Sequence, residues 1–144
     1  MSAGFDHDTK VRDRAKEPVV IGGLTLHPAR QSWDAIRALK KSRRDAERAD
    51  DRRERLEAKA REIEQAADGD EKKLAEADGI YDDADEQHRQ ALLATCQLIA
   101  SYLVDEKGKT PTGEFVFEHI DFTQVQGLVG YLVGTDDTDE PDPT

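Results

Sequence analysis

The sequence predicts a mainly α fold: a long antiparallel helical hairpin with a small N-terminal β-hairpin and short C-terminal helices. Three observations lead to it. From Ser32 to about Ala67 there is neither Pro nor Gly; Asp68-Gly69-Asp70 then interrupts, and helical composition resumes from Glu71 to about Val104. On both sides of that interruption small and apolar residues recur in alternating steps of three and four, the spacing of a helix–helix seam. Upstream, Val19-Val20-Ile21 and Leu24-Thr25-Leu26 flank Gly22-Gly23, a dipeptide that supplies the positive φ angles of a two-residue hairpin turn.

Residues 1–16 are polar, lack apolar periodicity and read as a disordered arm. A single domain is expected over 17–134, with the β-hairpin at 18–27, the helical hairpin at 32–104 and the C-terminal helices at 114–133. The β-hairpin is too small to stand alone, so Val20, Leu24 or Leu26 should lean on Trp33 and Ile36. The first long helix would span about 50 Å. Its outer face carries opposite charges four apart: Lys41–Asp45, Arg43–Glu47, Asp51–Arg55, Arg53–Glu57 and Glu57–Arg61.

The seams read Ala35, Leu39, Ser42, Ala46, Ala49, Arg53, Leu56, Ala60, Ile63, Ala67 and Leu74, Ala77, Tyr81, Ala84, His88, Ala91, Thr95, Leu98, Tyr102. A fold about 68–69 sets residues whose numbers sum to 137 opposite each other, so Leu56 meets Tyr81 and Leu39 meets Leu98. The same register places Arg61 near Glu76 and Arg55 near Asp82, and Arg53 should reach past Ala84 to Asp83 or Asp85. These pairings would account for the charge division, with 16 basic and 13 acidic residues over 1–66 against 5 and 19 over 67–144. The Ala-rich distal seam buries little. A firmer core is expected at the other end, from Leu92, Leu93, Leu98, Ile99, Tyr102 and Leu103 with Trp33, Ile36 and Leu39.

Asp105–Gly113 is a loop by composition. A short helix over about 114–120 and another over about 123–133 follow, the second opened by a Thr123-x-x-Gln126 capping box and closed by Gly134. Phe115, Phe117, Phe122, Val125, Leu128, Val129 and Leu132 make this the most hydrophobic stretch, readable as core packing or as a partner-binding surface. Residues 135–144 form an acidic, Pro-containing tail, expected to be disordered.

With 144 residues, a net charge of −11 and 6% aromatics, the chain fits one lean domain in a charged shell. Its basic residues are interleaved with acidic ones, which argues against nucleic-acid binding, and no run approaches a membrane span. Met1–Asp8 has no basic region followed by an apolar one, so an unexported chain is expected. One cysteine, Cys96, allows no internal disulfide and has no basic neighbour to activate it. The four histidines lack zinc spacing, and Asp82, Asp83, Asp85 and Glu86 point in different directions on a helix. His88 falls on the seam and reads as a packed or partly exposed residue, while His27 and His119 read as caps or surface groups. Gly22-Gly23 is not followed by a phosphate-binding pattern. No catalytic residue, metal or cofactor is expected.

The segments Val19–Pro28, Ser32–Leu39, Leu103–Lys109 and Phe115–Gly134 together resemble the tail assembly chaperones of long-tailed (siphovirus-like) actinobacteriophages. The likeness lies in the layout of residues 17–40 and 98–134 and does not extend to the charged hairpin between them. It implies a non-enzymatic protein that coats the tape measure protein and helps recruit tail tube protein. Such a protein works in the cytoplasm of the infected bacterial host and is not expected in the mature virion. Self-association is compatible with this. The alternative class is a structural virion or scaffold protein that uses the coiled-coil hairpin for protein–protein contacts.

Overall fold

The computed structural model describes residues 12, 13 and 16–134. Its elements run β1 (Val19–Ile21), β2 (Leu24–Pro28), α1 (Trp33–Ala67), α2 (Glu71–Ser101), β3 (Leu103–Val104), α3 (Gly113–His119) and α4 (Phe122–Val133). The mainly α architecture is the expected one, two long packed helices with a small sheet and short helices at one end. The arm and the acidic tail lie outside the described residues, apart from positions 12, 13 and 16 of the arm. Those three are attached: Arg12 bridges Ala29, Asp13 N–H donates to the Pro28 carbonyl at 2.8 Å, and Lys16 pairs with Asp13 at 2.7 Å.

Gly22 and Gly23 turn the hairpin at φ +57° and +80°, values that match the twist of the flanking strands. Gly22 has a second reason to lack a side chain, because a Cβ there would lie 2.7 Å from the His119 ring. β1 pairs with β2 through Val19–Leu26, Val20–Thr25 and Ile21–Leu24. β2 also pairs with β3, placing His27 opposite Val104 and Pro28 opposite Leu103. This third strand corrects the sequence reading, which carried α2 on to Val104. The helix stops at Ser101 because Tyr102 leaves helical geometry at φ −112°, which frees its carbonyl to accept from Ala29 N–H at 2.8 Å.

Ser32 caps α1, its Oγ accepting from Ala35 N–H at 3.1 Å. At the tip Asp68 and Gly69 take left-handed conformations, φ +50° and +84°, and Asp70 caps α2 by accepting from Lys72 N–H at 2.9 Å. Most of the seam sits where the spacing puts it: Ala35, Leu39, Ala46, Ala60, Ala67, Ala77, Ala84 and Thr95 are buried, whereas Leu74, near the tip, is exposed. Small side chains at these positions let the two helices approach closely. The register summing to 137 is realised at Ser42 and Thr95, whose hydroxyls lie 2.6 Å apart.

The charge pairing differs from expectation. Lys41–Asp45, Arg43–Glu47 and Arg53–Glu57 form along α1, but among the described residues no Arg or Lys ion pair crosses from α1 to α2. Arg53 turns to Asp50 at 2.6 Å and Glu57 at 3.4 Å instead of Asp83 or Asp85. Carboxylates three and four positions away on the same helix are reached without crossing the seam.

The core lies at the sheet end and gathers Ile21, Leu26, Leu39, Leu92, Cys96, Ile99, Leu103, Val116, Val125, Val129 and Leu132. Leu26 leans inward as expected of the β-hairpin, whereas Val20 faces solvent. Trp33 is not part of the core: it is 69% exposed, with the Arg37 guanidinium 4.7 Å over its ring. As the first helical residue it is out of phase with the Ala35–Leu39–Ser42 seam. Among the described residues no helix is long and apolar enough to cross a membrane.

Candidate interaction surface

The hydrophobic C-terminal stretch folds back along the hairpin base. Thr112 caps α3, its Oγ1 accepting from Phe115 N–H at 3.1 Å. Gly113 sits on α2 so closely that a Cβ would fall 2.8 Å from Gln97 Cα. That contact seats α3 and turns Val116 into the core, leaving Phe115 and Phe117 half-buried on its flanks. Arg89 lies 5.3 Å over the Phe117 ring. The His119 ring lies 4.5 Å from that of Phe115, and its Nδ1 lies 2.8 Å from the Phe115 carbonyl oxygen.

The cap of α4 lies two residues earlier than the Thr123-x-x-Gln126 pattern suggests. Asp121, not Thr123, is the cap: its Oδ1 accepts from Gln124 N–H at 2.8 Å, and its own N–H donates to Gln124 Oε1 at 2.9 Å. Ile120 is extended, so Asp121 is the first polar residue able to take the capping position. Gly134 closes the helix in a left-handed conformation, as expected.

From this start Val125, Val129 and Leu132, spaced by four and three, face inward and are buried. Their burial removes them from any docking surface and makes them part of what holds α4 in place. The remaining residues of the predicted surface, Phe115, Phe117, Phe122 and Leu128, are packed against the core from outside and partly uncovered. Gln126 Nε2 donates to the Arg43 carbonyl at 3.4 Å and the Tyr131 hydroxyl to the Glu17 carbonyl at 2.8 Å, tying α4 to α1 and to the segment before β1.

Phe122 also closes one side of a polar cluster in the seam. Its ring lies 5.3 Å from His88, and His88 Nε2 is 3.4 Å from Asp50 Oδ1, which already accepts from Arg53 at 2.6 Å. Burial, followed by the Arg53 charge, holds the His88 imidazole below its ordinary value. His88 is therefore a packed neutral ring at neutral pH, and its contact with Asp50 is not a charged pair. Cys96 is enclosed in the core, and burial pushes its thiol up to about 11, so little thiolate exists at neutral pH. Among the described residues, no hydrogen bond joins His27, His88 or His119 to Cys96 or to a carboxylate, and no group of three or more His, Cys, Asp or Glu could hold a metal ion.

Sequence reasoning missed a second exposed feature. Trp33 and Arg37 begin a basic face of α1, and beside it an open cleft of about 300 Å³ is lined by Asp34, Arg37, Ala38, Lys41 and Arg44. The signal was present in the spacing, because Trp33, Arg37, Lys40 and Arg44 recur every three or four residues off the seam. Compared with known proteins, the chain matches no family model, no curated protein and no solved structure.

Proposed function

We propose that this chain is a tail assembly chaperone of a long-tailed actinobacteriophage, one that binds the helical tape measure protein while the tail is built. The observation that carries the reading is the half-covered apolar side chains Phe115, Phe117, Phe122 and Leu128 on the outside of the core. Apolar side chains held in place by buried neighbours, yet open on one side, suit the apolar face of a helix. The layout of the chain's two ends supports the same assignment, and the helical hairpin adds a long charged surface. In this reading the protein has no catalytic task, meets tail tube protein through the client, acts in the cytoplasm of the infected host and is left out of the finished particle.

Co-expression of the full chain with the tape measure protein of the same phage tests this. The client should stay soluble and co-purify with the chain, and purified mature particles should lack the chain. A client equally soluble without it, or the chain found as a component of washed particles, would overturn the reading.

A further inference from the structure

We propose that residues 135–144 dock on the basic face at the start of α1, with Trp33, Arg37, Lys40 and Arg44 as the receiving surface. This does not depend on the proposed function.

The charges match. Between Arg30 and Arg44 there are six cations and one carboxylate, Asp34, a surplus of five positive charges. Residues 135–144 carry Asp136, Asp137, Asp139, Glu140 and Asp142, five negative charges and no cation. Of the six cations, Lys41 pairs with Asp45 at 2.9 Å and Arg43 with Glu47 at 3.7 Å, whereas Arg30, Lys40 and Arg44 have no ion pair among the described residues. The face is an uncancelled local field in a chain whose net charge is −11.

The exit point and the reach also match. Phe122 stands beside His88 at the level of Asp50, Gln126 touches Arg43, and Tyr131 reaches Glu17. α4 therefore runs back toward the beginning of α1 and delivers Gly134 near that end. At 100° per residue Trp33, Arg37, Lys40, Lys41 and Arg44 share an arc of about 100°, roughly a quarter turn round α1 from Arg43. Trp33 to Arg44 spans about 17 Å of helix. Ten extended residues cover up to about 33 Å, enough to run the length of the face. The cleft between Arg37, Lys41 and Arg44 gives carboxylates a recess, and the Trp33 ring beside it can cover Pro141 or Pro143.

Trp33 is the single tryptophan of the chain, so its fluorescence reports on this face alone. The full chain is compared with a full-length variant carrying Asp136→Asn, Asp137→Asn, Asp139→Asn, Glu140→Gln and Asp142→Asn, using the neutral quencher acrylamide, with circular dichroism to verify equal helicity. The quenching constant of Trp33 should roughly double in the variant, and the wild type should approach the variant's value at ~0.5 M salt, where exposed charges are screened. The difference should not change on dilution. Equal quenching of the two proteins at low salt would overturn the proposal. So would protection that disappears on dilution, which would assign the face to a second copy, or protection of wild-type Trp33 that arises only on adding a single-stranded oligonucleotide.

Discussion

The hydroxyls of Ser42 and Thr95 meet at 2.6 Å across the α1–α2 seam, at positions whose numbers sum to 137. Thr95 Oγ1 also lies 3.3 Å from the Ser42 carbonyl oxygen and 3.2 Å from that of Ala91, so a fully buried polar group is satisfied in this register. A slip of either helix would bury the same hydroxyl without these partners. Thr95→Val should cost about 1–2 kcal/mol in urea unfolding, and Ser42→Ala with Thr95→Val should cost less than the sum of the single changes. Strict additivity would mean that the pair does not hold the register.

His88 gives the fold a pH dependence of known sign. Its folded-state value lies below the ordinary 6.5, so as pH falls the unfolded chain takes up the proton first. The contribution is intact above pH 6.5 and is lost as pH falls from there toward the lowered folded value. His88→Gln should therefore flatten the decline in stability as pH falls below 6.5, measured by denaturant midpoints. An unchanged slope would show that carboxylates alone set the acid limb.

Two glycines should respond in opposite directions to alanine. Gly79 lies inside α2 with nothing within 4 Å of an added Cβ, so Gly79→Ala should stabilise the protein by about 0.5–1 kcal/mol. A Cβ at Gly113 would strike the Gln97 backbone, so Gly113→Ala should force α3 off α2 and lower the melting temperature. Equal shifts from the two changes would contradict the seating of α3.

What was legible in the sequence follows from how strongly each feature is repeated. The seam recurs over nine turns or so of α1, and a pattern of that length is hard to mistake. Gly22-Gly23 and Gly134 announced their turns because few other residues take those backbone angles. The third strand is not legible because Leu103 and Val104 are only two residues, indistinguishable from the apolar end of a helix until β2 lies beside them. The partner of Arg53 is not legible because a seam position implies one across the helices, while Asp50 and Glu57 stand closer along its own. Trp33 reads as core because it is the apolar residue nearest the β-hairpin in sequence, although its phase relative to Ala35 and Leu39 puts it outside. In the C-terminal stretch composition marks the surface, but only the phase of α4 after the Asp121 cap separates Val125, Val129 and Leu132 from Phe122 and Leu128, as the phase of α3 after Thr112 separates Val116 from Phe115 and Phe117.

That separation gives the most direct measurement of the proposed function: the amount of tape measure protein that co-purifies with the wild type, with Phe117→Asp and with Val129→Asp, each checked for helicity and urea unfolding. Val129→Asp buries a charge in the core and should cost about 3–5 kcal/mol, losing the client by unfolding. Phe117→Asp should lose only a half-covered side chain, about 1–2 kcal/mol, and remain folded while the client no longer co-purifies. A folded Phe117→Asp protein that retains the client at the wild-type level would contradict the assignment of client binding to the half-covered apolar side chains of α3 and α4.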